Sequence, residues 1–139
     1  MLDQVHEHII GELRQSARTD TVFVITAIAF NLIVLGINSA VAAEAADEYA
    51  DAANDIVLGV FIVMSLLVNT IAVVALNFGG QTRGKLLKGL LAMYQDNEVD
   101  QYYDATLLTN YGRRYTLFIA VIACLAVTGI AVPLIVRLV

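Results

Sequence analysis

IVLGVFIVMSLLVNTIAVVALNFGGQT, residues 56–82, carries no charged side chain. As an α-helix rising 1.5 Å per residue it would reach about 40 Å, more than the roughly 30 Å of hydrocarbon in a bilayer. A membrane-crossing strand would alternate apolar and polar residues, and this stretch does not. Lipid offers no hydrogen bonds to a backbone, so the run is expected to be a helix. Thr21 to Ala43 and Tyr115 to Val136 are uncharged in the same way. Three transmembrane helices are therefore predicted, over residues 20–43, 56–79 and 115–137.

The composition of the 139 residues agrees. Hydrophobic residues make up 59% and charged residues 15%, against about 45–50% and about 25% in soluble domains. Mean hydropathy is +0.75. The chain reads as one all-α membrane domain. Ala40-Val41-Ala42 resembles a signal-peptidase site, but Asp3, Glu7 and Glu12 precede the first run and the run is too long for a signal peptide. The first span is expected to be retained. Net charge is −5, and the balance of two lysines against six arginines, with many Ala, Val and Asp, is compatible with a salt-loving or GC-rich prokaryotic source.

Charge distribution predicts orientation. Arg14 and Arg18 precede the first span, and Arg83, Lys85, Lys88, Arg113 and Arg114 lie between the second and third. The loop between the first and second has no Lys or Arg. Positive residues in short loops stay cytoplasmic. The N-terminus is thus expected inside the cell membrane and the C-terminus outside. Arg137 is the exception, placed where an arginine can snorkel to headgroups.

Leu2, Val5, Ile9, Leu13 and Ala17 fall at helical spacing, so residues 1–19 are expected to form a cytoplasmic amphipathic helix. It could lie on the leaflet or pack on a partner's cytoplasmic helix. Thr19 or Asp20 would cap the first span. Gly79-Gly80 would end the second. Residues 80–114 are expected to hold two short amphipathic helices, separated by a polar break at Gln95 to Asp100, the second running from Gln101 to Asn110. Residues 44–55 form the outer loop, where Glu44, Asp47, Glu48, Asp51 and Asp55 recur every three or four residues as an acidic stripe. Gly129 and Pro133 are expected to loosen the last span.

Inside the spans the polar residues are amides and hydroxyls rather than ionisable groups. Asn31 and Asn38 share a face of the first span, and Ser65 and Asn69 a face of the second. Because the spans alternate in direction, Asn31, Asn69 and Thr128 should lie at similar depth. Small residues at Gly36, Ala40, Gly59 and Ala72 permit close helix approach. Two roles follow for the amides: hydrogen bonding between packed helices, or the wall of a conduit built by several subunits. Cys124 reads as a small packing residue.

Several motifs carry no chemistry. Gly79 to Leu86 matches G-x-x-x-x-G-K, but Leu86 stands where Ser or Thr must hold Mg²⁺, and a membrane span precedes it. His6 and His8 point to nearly opposite sides of a helix and cannot chelate together. No nucleophilic triad or paired carboxylates in an apolar pocket pattern are visible. The chain is not expected to be an enzyme or to need a metal or cofactor. The expected partners are the lipid bilayer and further copies of the chain or another membrane subunit, not nucleic acid.

Two functions remain. One is a homo-oligomeric, cation-permeable channel with Asn31, Asn38, Ser65, Asn69 and Thr128 along its wall and the acidic stripe at its outer mouth. The other is a non-catalytic scaffold or accessory subunit of a larger membrane complex.

Overall fold

The computed structural model describes residues 2–45, 52–104 and 106–138. Three long helices account for nearly all of them: α1 (Leu2–Ala45), α2 (Ala52–Asp96) and α3 (Thr106–Leu138). A single 3₁₀ turn, Asp100–Tyr102, lies between α2 and α3. Each helix packs against both others. All three are long and apolar enough to cross a membrane.

The helices are longer than the apolar runs. α1 has 44 residues and α2 has 45, so each is about 66 Å long, twice the hydrocarbon thickness. Where an amphipathic helix and a capped span were expected, one unbroken α1 runs through Thr19 and Asp20. The Thr19 and Thr21 hydroxyls donate to the Gln15 and Ala17 carbonyls inside the helix instead of capping it. Likewise, α2 does not stop at Gly79-Gly80. An interior glycine costs only about 1 kcal/mol relative to alanine, which packing can offset. The short helix expected from Gln101 is replaced by the 3₁₀ turn, and α3 begins at Thr106. There the Asp104 carboxylate accepts the Thr106 N–H at 2.8 Å, which holds the Asp104 carboxyl below its usual pKa.

The polar break after α2 is a tight helix stop. Glu98 has φ 58°, and the Val99 and Glu98 N–H groups donate to the Tyr94 and Gln95 carbonyls at 3.0 and 3.1 Å. That pair of bonds is the Schellman arrangement, with Glu98 in the left-handed position usually given to glycine.

Two apolar clusters hold the bundle. One joins all three helices through Val24 and Ala27, Ala72 and Leu76, and Tyr115 and Ile122. Its alanines let α1 and α2 approach closely. The second joins Leu13 of α1 to Leu87 and Leu90 of α2, flanked by Ile9, Ile10, Met93 and Tyr94. Of the apolar stripe near the N-terminus, Leu13 and Ile9 are therefore covered by this chain's own α2, while Leu2 and Val5 remain exposed. Outside these clusters the spans are apolar too: Ile25, Ile33, Val60, Leu67, Ile71, Leu117, Val127 and Ile135 are all exposed. Such all-round apolarity suits lipid or other membrane chains.

Candidate functional site

Asn31 and Asn69 meet at the α1–α2 interface, within the uncharged runs of both helices, and both are buried. Asn31 Nδ2 donates to Asn69 Oδ1 at 2.8 Å, and Asn69 Nδ2 donates to Asn31 Oδ1 at 2.9 Å. Each amide also bonds its own helix: Asn31 Nδ2 to the Ala27 carbonyl, and Asn69 Nδ2 to the Ser65 carbonyl, both at 2.8 Å. Ser65 Oγ lies 3.3 Å from Asn69 Nδ2 and is itself fully buried. The sequence placed Ser65 and Asn69 on one face of the second span and Asn31 at a similar depth in the first; the structure shows the three meeting within one chain.

Asn38, two turns along α1, is fully buried, and neither its Nδ2 nor its Oδ1 has a hydrogen-bond partner among the described residues. Thr128 lies apart from the other four. It is exposed, and its hydroxyl donates to the Cys124 carbonyl at 2.9 Å. Cys124 is exposed rather than packed inside the protomer.

Of the acidic stripe, Asp47, Glu48 and Asp51 lie outside the described residues, and Glu44 is exposed near the end of α1. Asp55 is not a free carboxylate. It accepts from Arg137 Nε at 2.9 Å and from Arg137 Nη2 at 3.2 Å, tying the start of α2 to the end of α3. The guanidinium beside it lowers the Asp55 pKa.

A further junction went unread in the sequence, at the opposite end of the three apolar runs. The Tyr115 hydroxyl of α3 donates to Asp20 Oδ2 of α1, and Ser16 Oγ donates to the same oxygen at 3.4 Å. Two glycines of α2 make room. A Cβ on Gly79 would sit 2.7 Å from Asp20 Oδ1, and one on Gly80 would sit 3.2 Å from the Tyr115 ring. The glycine pair is a packing device at the point where three helices meet. Its sequence signal was the coincidence of Asp20, Gly79-Gly80 and Tyr115 at matching ends of the three runs.

Beside this junction, between α2 and α3, is a cleft of about 270 Å³. Arg83 lines it, with its guanidinium carbon 4.6 Å above the Tyr111 ring. The G-x-x-x-x-G-K stretch that contains Arg83 is continuous helix, not a phosphate-cradling loop. No protein-family model matches this chain, and no match to a curated protein or a solved structure was found.

Proposed function

We propose that this protein is a non-catalytic scaffold or accessory subunit of a larger membrane complex, multi-pass, with its N-terminus in the cytoplasm and its C-terminus outside. The observation that carries this reading is the reciprocal Asn31–Asn69 pair. Asn31, Asn69 and Ser65, three of the groups suited to line a conduit, are engaged within the chain, bonded to each other and to their own helices. What the chain offers its surroundings along the spans is mostly apolar, interrupted by single hydroxyls and one amide. Beyond the spans it offers a two-helix extension built from the N-terminal part of α1 and the C-terminal part of α2, packed through Leu13, Leu87 and Leu90. This extension is cytoplasmic in the orientation that positive charge favours, and it forms the docking surface for the partner. The Asp55–Arg137 pair supports that orientation, because it neutralises the one basic residue on the wrong side.

A homo-oligomeric cation channel is the second reading. Its wall would have to come from exposed polar residues such as Thr26, Thr70, Asn77 and Thr128, with the acidic stripe at its mouth. Reconstitution separates the two. Purified alone into liposomes, the chain is expected to give cation flux no greater than that of empty vesicles. Robust flux that falls when Thr70, Asn77 or Thr128 is made bulky would establish the channel instead.

A further inference from the structure

The cleft between α2 and α3 has the composition of an anion site. Its rim includes Gly80, Gly84 and Gly112, whose missing side chains open the space, and its cation is Arg83. No Asp or Glu lines it, in a chain with 13 acidic residues against 8 basic ones. Asp20 is not part of its lining; it lines a small neighbouring pocket together with Arg83, and accepts from Tyr115 and Ser16. Among the described residues the only ion pair is Asp55–Arg137. Arg83 therefore has no carboxylate partner there, although its Nε is buried and lacks any hydrogen-bond acceptor. Its guanidinium lies over the Tyr111 face and near the Tyr115 hydroxyl, which itself donates to Asp20.

A guanidinium without a carboxylate partner attracts anions, and its planar fork of N–H donors matches the oxygens of a phosphate group. At about 270 Å³ the cleft is just below the roughly 300–1,000 Å³ typical of small-ligand sites, enough for a headgroup and too little for a whole lipid. Its floor is apolar, from Leu76, Leu87 and Ile119. It sits where the uncharged runs of α2 and α3 end, the depth of headgroups.

We propose that this cleft binds a phosphate-bearing anion through Arg83, either the headgroup of an anionic lipid or free phosphate. The site is independent of the scaffold reading. The test uses the full chain purified in mild detergent and stripped of lipid. Native mass spectrometry measures retention of added phosphatidylglycerol against phosphatidylcholine, and thermal unfolding measures protection by inorganic phosphate. Two variants are compared with wild type. Arg83→Gln removes the charge. Gly84→Leu fills the cleft from a position where a Cβ meets nothing within 4 Å, and it raises helix propensity, so the fold is kept.

Wild type is expected to retain phosphatidylglycerol in preference to phosphatidylcholine, and both variants to bind it about tenfold more weakly or worse. Arg14→Gln, at an exposed arginine, should change nothing. Protection by inorganic phosphate alone, lost in both variants, would assign the site to free phosphate. Equal retention of the two lipids with no phosphate protection, or binding undiminished in Gly84→Leu, would overturn the proposal. If Arg83→Gln does not fold, Gly84→Leu decides.

Discussion

Asn31 and Asn69 exchange two hydrogen bonds across the α1–α2 interface, each amide donating to the other's carbonyl oxygen at 2.8 and 2.9 Å. Neither residue can turn toward a second subunit without leaving the other's buried side-chain carbonyl oxygen without its donor. A buried amide without a partner is more costly than a pair of apolar residues of the same shape.

The pair should show up as coupling. Asn31→Leu and Asn69→Leu are each expected to destabilise the protein, and the double variant to lose less than the sum of the two. The interaction energy should be about 0.6 kcal/mol and at most about 1.7 kcal/mol, as for other hydrogen bonds between membrane helices. Reversible unfolding in mixed micelles measures it. Asn38 gives the contrast. With both amide atoms unpartnered among the described residues, Asn38→Leu is expected to be neutral or stabilising.

Glycine substitutions along α2 should differ in sign. Gly89→Ala adds a Cβ that meets nothing within 4 Å, and should stabilise by about 0.5–1 kcal/mol through helix propensity. Gly80→Ala drives a Cβ to 3.2 Å from the Tyr115 ring. That ring is buried and its hydroxyl is tied to Asp20, so it has little freedom to yield. Gly79→Ala meets Asp20 at 2.7 Å. Both are expected to lower the thermal midpoint, and Gly80→Leu more than Gly80→Ala.

The Asp55–Arg137 tie should respond to acid. The Asp55 carboxyl titrates below its ordinary value because Arg137 hydrogen-bonds to it. Its stabilising contribution is therefore fully present above the unfolded carboxyl pKa of about 3.9 and is lost as pH falls through the lower folded value. Asp55→Asn should be less stable than wild type at pH 7, and the difference should vanish at strongly acidic pH. The pair is solvent-exposed, so the effect should be small and should shrink with added salt.

Glu98 occupies a backbone conformation with φ 58°, which costs a residue bearing a Cβ roughly 1–2 kcal/mol. Glu98→Gly is expected to stabilise the stop after α2, partly offset by glycine's greater freedom when unfolded. Thermal unfolding would record a modest rise.

The three apolar runs made the membrane-spanning helices legible, because uncharged length alone separates them from soluble helices. The comparable depth of Asn31 and Asn69 was legible from their positions within the two spans. Which role they play was not, since spacing gives a face but not the neighbour covering it. Gly79-Gly80 misled because glycine both ends helices and admits close contacts. Only the positions of Asp20 and Tyr115 decide between these uses. The continuity of α1 through Asp20 was hidden for a related reason: threonine and aspartate are good caps, yet their side chains can also bond within a helix or across to another. Arg137 was explained by reach to headgroups, because its partner Asp55 lies 82 residues away in sequence.

The most direct test of the scaffold reading is the mass of the assembly extracted from its native membrane in a mild detergent, by native mass spectrometry. The account predicts a defined complex in which this 15.0 kDa chain is joined to a different protein at fixed stoichiometry. A ring of four or more identical copies, with no other chain, would contradict it.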